Sequence, residues 1–228
     1  MFFLQRNRSF LSRPCLNDRG PGPCSRSNCG KKCERAIIAG TDSLIGFEDL
    51  ELFNNAGRLK TIFNPDGFIP GEAGSAFLVE KTDAAENRKA EIGAVIEAIS
   101  VDHEADNILS GANATGNGLV KVISAMASQA PIAPDTIITD MNGETYRADE
   151  LGNIHSRALG RMEGEKNMSY PAKCLGDTGA AYGGIAVSIA VRAMARGYIA
   201  ENKKQGNALI LASSDSGARG CVYLRYVE

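Results

Sequence analysis

The order of apolar and polar positions along the chain predicts strands that alternate with helices. In the first half the predicted elements are a strand over 35–40, a helix over 46–56, and strands over 75–81 and 92–103. The helix over 46–56 presents an apolar side made of Phe47, Leu50, Leu52 and Phe53. Between these elements, residues 64–72 hold two prolines and two glycines, a composition that predicts a loop.

The second half continues the alternation. Its predicted elements are helices over 116–128, 148–162 and 179–198, and strands over 136–140, 208–212 and 221–227. The segment 179–198 is apolar or small on nearly every side, which predicts a central buried helix. Strands that alternate with helices and end in a hairpin predict an α/β fold, with a mixed sheet covered by helices.

Composition agrees with an ordinary globular protein. The 228 residues can enclose one sizeable core, and 43% are apolar while 23% are charged. No apolar run approaches the roughly 18 residues of a membrane span, so we expect no membrane association. Nor does the N-terminus contain the apolar run of about 7–15 residues typical of a secretory signal, so a cytoplasmic location is expected.

Charge is distributed unevenly. Residues 1–36 contain eight Lys and Arg against Asp18 and Glu34, so the remaining residues carry a net charge of −8. An acidic body argues against nucleic acid as a partner, because nucleic-acid binding requires a basic face. We expect residues 1–32 to form an irregular basic segment, since they are rich in Gly, Pro and charge.

The six cysteines predict no metal site and no cofactor. Four of them lie between residues 15 and 33, without the paired Cys-x-x-Cys spacing of zinc sites. Cys174 and Cys221 stand in apolar surroundings, where buried and inert thiols are expected.

Three short segments resemble motifs of one enzyme family. Residues 172–184 (Ala-Lys-Cys-Leu-Gly-Asp-Thr-Gly-Ala-Ala-Tyr-Gly-Gly) resemble the Gly-His-Thr-x-Gly-Ala-Ala-Gly helix start of the β-ketoacyl synthases of the thiolase superfamily. Residues 66–76 and 39–43 resemble that family's Asp-Gly-Phe-Val-x-Gly-Glu-Gly-Ala loop and its Gly-Gly-x-Asp/Glu-Ser strand end. The motifs follow in family order. The resemblance implies a thiolase-like domain over 33–228, with an incomplete N-terminal half and an open sheet edge.

The resemblance also implies which residues hold the catalytic positions, and here the chain departs from the family. The two histidines that polarise the thioester are replaced by Asn142 and Asp177. An Asn amide still donates hydrogen bonds but does not exchange a proton near neutral pH. An Asp at a helix start is a preferred N-cap, which favours an ionised carboxylate. An ionised Asp177 would oppose the negative charge that develops on the extender when it loses carbon dioxide.

The remaining site residues follow from the same alignment of motifs. Lys173 lies four residues before Asp177, whereas the family lysine lies five before its histidine, and Gly143 and Thr178 are expected to contact substrate. Cys15 falls at the family's nucleophile distance, but the Gly-Pro-Gly-Pro run over 20–23 prevents the helix that a reactive cysteine needs.

Further departures concern the histidines that the chain does contain. His103 and His155 match neither catalytic position, and His155 is expected on a helix surface. Residues 215–220 lack the phenylalanines of the family's gating loop.

Two hypotheses for function follow. The first is a β-ketoacyl synthase-like protein of fatty acid or polyketide metabolism without condensing activity, which binds an acyl group or an acyl carrier protein. Such a protein could also form a homodimer, or a heterodimer with an active synthase. The alternative is an active acyltransferase of the 3-oxoacyl-carrier synthase type that uses Asn142 and Asp177 in a non-standard site, since one oxyanion donor contributes about 3 kcal/mol to catalysis.

Overall fold

The computed structural model describes residues 35–130, 133–162, 167–199 and 206–227, together with the backbone of Phe3–Leu4. The expectations for residues 1–32, including the one for Cys15, otherwise lie outside the described residues. The division at residue 32 stays a prediction.

The first sheet has three strands, β1 (Phe3–Leu4), β2 (Arg35–Ser43) and β3 (Glu72–Glu80), in that order. β1 pairs with β2 in parallel, and β2 pairs with β3 in antiparallel register. Ile38 is opposite Phe77, and Ile37 is opposite Leu78. Since side chains alternate between the two faces of a strand, these two pairs lie on opposite faces of the sheet.

The second sheet has five strands and is mixed, as predicted. Its strands are β4 (Val95–His103), β5 (Thr136–Ile138), β6 (Asn167–Ser169), β7 (Asn207–Ser213) and β8 (Ala218–Arg225). Their spatial order is β4-β8-β7-β5-β6. The β5 pairings are parallel, whereas β8 pairs antiparallel with both β4 and β7. The closing hairpin predicted from the sequence is therefore confirmed.

Six α-helices lie between or beside these strands in the described residues. They are α1 (Phe47–Asn55), α2 (Thr82–Asn87), α3 (Asn117–Gln129), α4 (Thr145–Arg157), α5 (Ala172–Leu175) and α6 (Tyr182–Ala195). Short 3-10 helices cover Ile108–Ser110, Leu159–Arg161 and Gly179–Ala181.

Helix α6 is the central layer of the molecule, in agreement with its uniformly apolar or small sequence. It contacts β2 and β3 on one side and β7 on the other. Gly184 lies against Ser75 so closely that a Cβ there would be 2.2 Å from the serine Oγ, so the small residue permits this approach. Tyr182, Ala186, Ala190 and Met194 pack into the second sheet. The expectation of a buried central helix is confirmed.

The main hydrophobic core lies on the other face of the five-stranded sheet. There α3 packs on β4 and β8. The core cluster includes Val122, Ile123 and Met126 of α3, Ile154 of α4, and Leu209 and Leu211 of β7. Strand β7 is apolar at five consecutive positions, which fits a strand covered by helices on both faces. The α/β class predicted from the sequence, a mixed sheet covered by helices, is the observed fold.

Several local expectations were wrong. Helix α4 begins at Thr145 rather than 148, because the carboxylate of Asp66 from a distant loop accepts the Thr145 N–H at 2.7 Å. The side of α1 taken as apolar is largely exposed, with 80% of Phe47 and 61% of Leu52 accessible. Cys174, expected to be buried, is exposed on α5, whereas Cys221 is buried as expected.

Candidate functional site

Asp177 is held at the start of the α6 region by backbone pairing with a distant loop. Its N–H donates to the Ile69 carbonyl at 2.7 Å, and its own carbonyl accepts the Gly71 N–H at 2.8 Å. Gly176 turns the chain into this pairing with φ of +73°, and a Cβ there would be 2.9 Å from the Ile69 carbonyl oxygen. The Asp-Gly-Phe loop recognised in the sequence therefore serves to position Asp177.

Each oxygen of the Asp177 carboxylate accepts a hydrogen bond. Its Oδ2 accepts a hydrogen bond from Asn142 Nδ2 at 2.8 Å, and its Oδ1 accepts the Gly179 N–H at 2.9 Å. The second bond is the predicted capping interaction, made at the 3-10 turn that precedes α6. Burial raises the pKa of Asp177, although the bonds from Asn142 and Gly179 oppose the rise. The predicted cap is therefore present, while burial acts on the pKa of Asp177 in the opposite sense.

Asn142 is equally engaged. Its Nδ2 donates to Glu144 Oε2 at 3.0 Å as well as to Asp177, and its Oδ1 accepts the Glu144 N–H at 3.1 Å. Gly143 turns the chain between these residues with φ of +112°, and a Cβ on it would be 2.7 Å from the Gly67 carbonyl oxygen. The tight turn predicted after β5 is thus observed, and it brings Asn142 and Asp177 into direct contact.

A chain of charged side chains continues from Glu144. Arg58 binds both carboxylate oxygens of Glu144, at 2.6 and 2.9 Å, and donates to Asp215 at 2.8 Å. Asp215 also accepts from Arg147 at 2.9 Å. Beyond it, Glu150 lies 3.7 Å from Arg147 and 2.7 Å from Arg219. We call this set, from Glu144 to Arg219, the charged network.

Burial and ion pairing compete within the charged network. Burial acts to raise the pKa of Asp215, but the hydrogen bond from Arg58 and the charge of Arg147 outweigh it, so the pKa is lowered. At Glu150 burial prevails over Arg219 and Arg147, and the pKa is raised. Burial acts to lower the pKa of Arg58, but the hydrogen bonds that it donates to Glu144 and Asp215 outweigh burial and raise the pKa, which keeps the guanidinium charged.

Asp177 faces a cavity of about 610 Å³, which we call the acidic cavity. Its charged lining is Asp42, Asp49, Asp140, Asp177, Asp215, Arg58 and Arg147. Its apolar lining includes Leu44, Leu52, Phe53, Phe68 and Tyr182. Asn142 is not among the lining residues, but it is bonded to Asp177, which is. The Tyr182 hydroxyl is already donated to the Leu211 carbonyl at 2.9 Å.

The other residues singled out from the sequence lie away from the cavity lining. Lys173 is exposed, with its Nζ 4.6 Å from the centre of the Tyr170 ring. Thr178 is buried, and Gly143 packs against the Gly67 loop, so both residues are in contact with other parts of the protein itself. His155 is exposed on α4, as expected, and His103 Nε2 lies 3.1 Å from the Ser216 carbonyl oxygen.

No cysteine lines the acidic cavity in the described part of the chain. The buried Cys221 has its pKa raised to about 12 by burial, and its thiol donates to the Val122 carbonyl. Across the same residues, no group of three or more His, Cys, Asp or Glu is arranged to hold a metal ion. None of the helices there has the length and apolar character that crossing a membrane requires.

The sequence analysis missed the charged network altogether. Its members Glu144, Arg147 and Glu150 lie at or on α4, but Arg58, Asp215 and Arg219 come from distant segments, and the set shares no motif spacing. A weak signal was available in α4, where Arg147 and Glu150 are three residues apart and therefore share a helix face. Their partners Arg58 and Asp215 are 157 positions apart, and only the tertiary fold brings them together.

Sequence comparison identifies no relative, because no protein-family model and no curated protein matches the chain. Solved structures match over 86% of the chain. One is the ketosynthase of a type II polyketide synthase, solved in complex with its acyl-carrier protein (AntDE:AntF), at 16% identity and a TM-score of 0.72. Another is the oxazolomycin ketosynthase domain OzmH KS7 of Streptomyces albus JA3453, at 15% and 0.71. A third is the module 6 ketosynthase of the Bacillus subtilis 168 bacillaene synthase, at 13% and 0.68.

The match covers only part of these structures. The chain spans 57% of the first ketosynthase chain and 43% of each of the other two. At these identities the likeness establishes the architecture, and the helix-between-sheets arrangement described above agrees with it. The chain therefore has the thiolase-like fold of ketosynthase domains.

Proposed function

We propose that this protein is a ketosynthase-like binding protein without condensing activity, which binds an acyl group or an acyl carrier protein. The observation that carries the proposal is the hydrogen bond between Asn142 and Asp177. In the family that the sequence resembles, the corresponding positions supply donors to a thioester oxygen. Here Asn142 gives both amide hydrogens to carboxylates, and Asp177 offers only acceptors.

The electrostatics of the acidic cavity support the same proposal. Condensation by this family passes through negative charge on the extender after decarboxylation. Such charge is stabilised by hydrogen-bond donors pointing at it. The acidic cavity instead carries five carboxyl groups, and its two guanidinium groups are already paired with Asp215. A nucleophilic cysteine is likewise absent from its described lining.

A carrier protein is the partner class we propose, because one structural neighbour is a ketosynthase in complex with its acyl-carrier protein. Association with a second copy or with an active synthase is a further proposal. The exposed face of the three-stranded sheet offers apolar surface for such an association. Function in fatty acid or polyketide metabolism belongs to the same proposal.

An active acyltransferase remains the second candidate, and one observation favours it. The pKa of Asp177 is raised by burial, which is a property of carboxyl groups that donate protons in active sites. In this candidate Asp177 would transfer a proton to the developing oxyanion. The family's groups instead stabilise the oxyanion by donating hydrogen bonds to it.

The two candidates are separated by incubating the chain with malonyl and octanoyl carrier proteins. We expect reversible binding, no release of carbon dioxide, and no mass increase of the intact chain. A covalent acyl adduct on any cysteine, or carbon dioxide release from malonyl carrier protein, would overturn the proposal and favour the acyltransferase. The double variant Asn142→His with Asp177→His is expected to remain inactive in condensation, because the family reaction also needs a nucleophilic cysteine.

A further inference from the structure

The charged network balances its own charges. Each of its members has a partner of opposite charge at 2.9 Å or less. The guanidinium groups belong to Arg58, Arg147 and Arg219, and the carboxyl groups to Glu144, Asp215 and Glu150. Arg58 and Arg147 are also the cations in the described lining of the acidic cavity. The network therefore leaves no cation there to neutralise further acids.

Three of the aspartates in the cavity lining lie outside the network. Asp42, Asp140 and Asp177 each accept a backbone N–H, and Asp177 also accepts the amide of Asn142. Among the described residues, none of the three has an ion-pair partner. Neutral donors do not cancel a charge, so the cavity keeps an excess of negative charge, and a cation inside it would be attracted.

Two buried polar atoms of the same lining also lack partners. Across the described part of the chain, Arg147 Nη1 and Ser213 Oγ have no hydrogen-bond partner. The Arg147 side chain is only 7% exposed. Buried polar groups are normally satisfied by protein, water or ligand. Since a guanidinium only donates, while a hydroxyl donates or accepts, the partner that suits both atoms is an oxygen acceptor.

The two unpartnered atoms belong to one part of the cavity. Asp140 accepts the Ser213 N–H, and Asp215, two residues further along the chain, accepts from Arg147 Nη2 at 2.9 Å. The site for an oxygen acceptor therefore lies beside one of the aspartates that have no cationic partner. A ligand with an ammonium group and an oxygen atom matches both features.

Apolar side chains complete the cavity. Leu44 and Phe68 are buried in its wall, and Leu52 and Phe53 belong to the same lining. Such walls favour an aliphatic carbon chain, because contact removes apolar surface from water on both sides. A volume of about 610 Å³ has room for a small organic molecule. A bare metal ion fits less well, since the described residues provide no group of three metal-binding side chains.

We propose that the acidic cavity binds a small aliphatic amine that also carries an uncharged oxygen, such as an amino alcohol. The ammonium group lies against the aspartates outside the charged network. The oxygen accepts hydrogen bonds from Arg147 Nη1 and Ser213 Oγ, and the carbon chain contacts the apolar wall. This inference goes beyond the proposed function, because the ligand carries no acyl group.

The test uses four probes in isothermal titration calorimetry with the full chain. Aminopentanol, pentanediol and hydroxypentanoate, each substituted at both chain ends, share a hydroxyl and differ in the charge of the other end. Pentylamine has the ammonium without the oxygen. We expect aminopentanol to bind at least about ten-fold tighter than pentanediol, and hydroxypentanoate to bind most weakly, because the cavity attracts cations and repels anions. Added salt should narrow these differences, since screening weakens both effects.

Two aspartates provide a matched pair of variants. Asp42 lines the cavity, whereas Asp149 is exposed on α4 and lies outside the lining. Asp42→Asn should weaken aminopentanol binding about five-fold or more, while Asp149→Asn, with the same change in net charge, should leave it within about two-fold. Pentanediol binding should be insensitive to both. Circular dichroism melting identifies a variant that fails to fold, and the comparison of probes on the unmodified chain then decides.

The oxygen contact has its own variant. Because the Ser213 hydroxyl has no partner within the described residues, Ser213→Ala breaks no existing side-chain hydrogen bond. It should weaken aminopentanol binding about three-fold and leave pentylamine binding unchanged, since only the first ligand has an oxygen for this hydroxyl.

Absence of aminopentanol binding, equal affinity for aminopentanol and pentanediol, or equal effects of the Asp42 and Asp149 variants would overturn the inference. Equal affinity for aminopentanol and pentylamine would overturn it as well. Its failure is distinguishable from that of the proposed function. Carrier-protein binding without a preference for the amine overturns the inference and leaves the proposed function standing. Carbon dioxide release from malonyl carrier protein, with the preference for the amine intact, does the reverse.

Discussion

The two sheets are built from similar apolar strands but are packed in different ways. In the five-stranded sheet, β7 is covered on both faces, with Leu209 and Leu211 under α3 and α4 and Ile210 under α6. In the three-stranded sheet, α6 covers one face only. On the other face Ile37 and Leu78, paired across β2 and β3, are 63% and 52% exposed. The five-stranded sheet therefore carries the core, and the three-stranded sheet keeps one apolar face exposed.

The candidate site lies where these two regions meet. Asp42 at the end of β2 accepts the Ala180 N–H at 3.0 Å, and Asp177 accepts the Gly179 N–H, so carboxylates from two separate segments cap the start of α6. Arg58, which follows α1, is bonded to Glu144 and Asp215 of the second region. The comparison teaches that apolar burial is concentrated in the five-stranded sheet. The charged side chains that line the acidic cavity gather instead where the two sheets meet.

The largest effect is expected from the buried ion pair on β8. Arg219 is fully buried with Glu150 at 2.7 Å, so Arg219→Ala leaves the buried Glu150 carboxylate with only the more distant Arg147 at 3.7 Å and should lower the free energy of unfolding by about 3–5 kcal/mol. Arg225→Ala on the same strand breaks a pair with Glu97 that is largely exposed, and should cost about 0–1 kcal/mol. Urea unfolding measures both. Similar losses of stability in the two variants would show that burial does not determine how much each ion pair contributes.

The next largest effect is expected when a core side chain of the five-stranded sheet is truncated. Leu209 is fully buried in β7, and Leu209→Ala should lower the free energy of unfolding by about 2–5 kcal/mol through lost burial and the cavity that remains. Leu78→Ala, on the exposed face of β3, is the matched control and should change stability by about 0.5 kcal/mol or less. Equal losses from the two leucines would contradict the comparison between the sheets.

The stability that the charged network provides should depend on pH through Asp215. Its pKa is lowered from the ordinary value of 3.8, so the folded state binds its proton more weakly than the unfolded chain. The stabilisation is therefore fully present above pH 3.8 and is lost as pH falls through the folded-state pKa. Asp215→Asn should cost about 1.5–3 kcal/mol at pH 7, since it removes charged hydrogen bonds to two arginines.

The difference between wild type and Asp215→Asn should shrink in acid, and urea unfolding at several pH values measures it. Glu150 and Asp177 have raised pKa values, so their effect on the pH dependence of stability is opposite to that of Asp215. The variant is therefore compared with wild type at each pH, because both proteins share these two groups. The exposed Asp149→Asn on α4 is the control and should show no such convergence. A constant difference across pH would exclude ionic stabilisation by Asp215.

The smallest effect is expected on the exposed face of the three-stranded sheet. Ile37→Thr keeps a β-branched side chain and should change the free energy of unfolding by about 0.5 kcal/mol or less. The measurement is urea unfolding at two protein concentrations. A loss above about 2 kcal/mol that depends on concentration would show that a second copy covers this face, because assembly links stability to concentration.

Local patterns predicted much of the architecture, for identifiable reasons. The apolar run of β7 and the small, apolar sequence of α6 each determine an element that is buried on both sides, and both were recognised from sequence. Some short elements were not predicted, among them β6 and α5. A segment of four or fewer residues is too short to show the periodicity of a helix or a strand. The exposure of Phe47 could not be foreseen, since an amphipathic helix is predicted to bury its apolar side whether or not a partner surface is present.

At the candidate site the sequence singled out Asn142 and Asp177, which the resemblance places at the family's histidine positions. Asn142 lies in a tight turn after β5 and Asp177 is a cap before α6, and both placements follow from local chemistry. The hydrogen bond between them and the raised pKa of Asp177 were not predicted, because both depend on segments that are remote in sequence.

By itself, the sequence determined the α/β class and the central helix, because each is encoded within a short stretch of residues. Only the tertiary structure decided the charged network, in which Arg58 and Asp215 join segments 157 positions apart. It also decided that Ala180 and Gly183 line both the acidic cavity and a second, apolar cavity beside α6. The physical reason is that ion pairs and cavities arise from the packing of elements against one another, and no local pattern records which surfaces will meet.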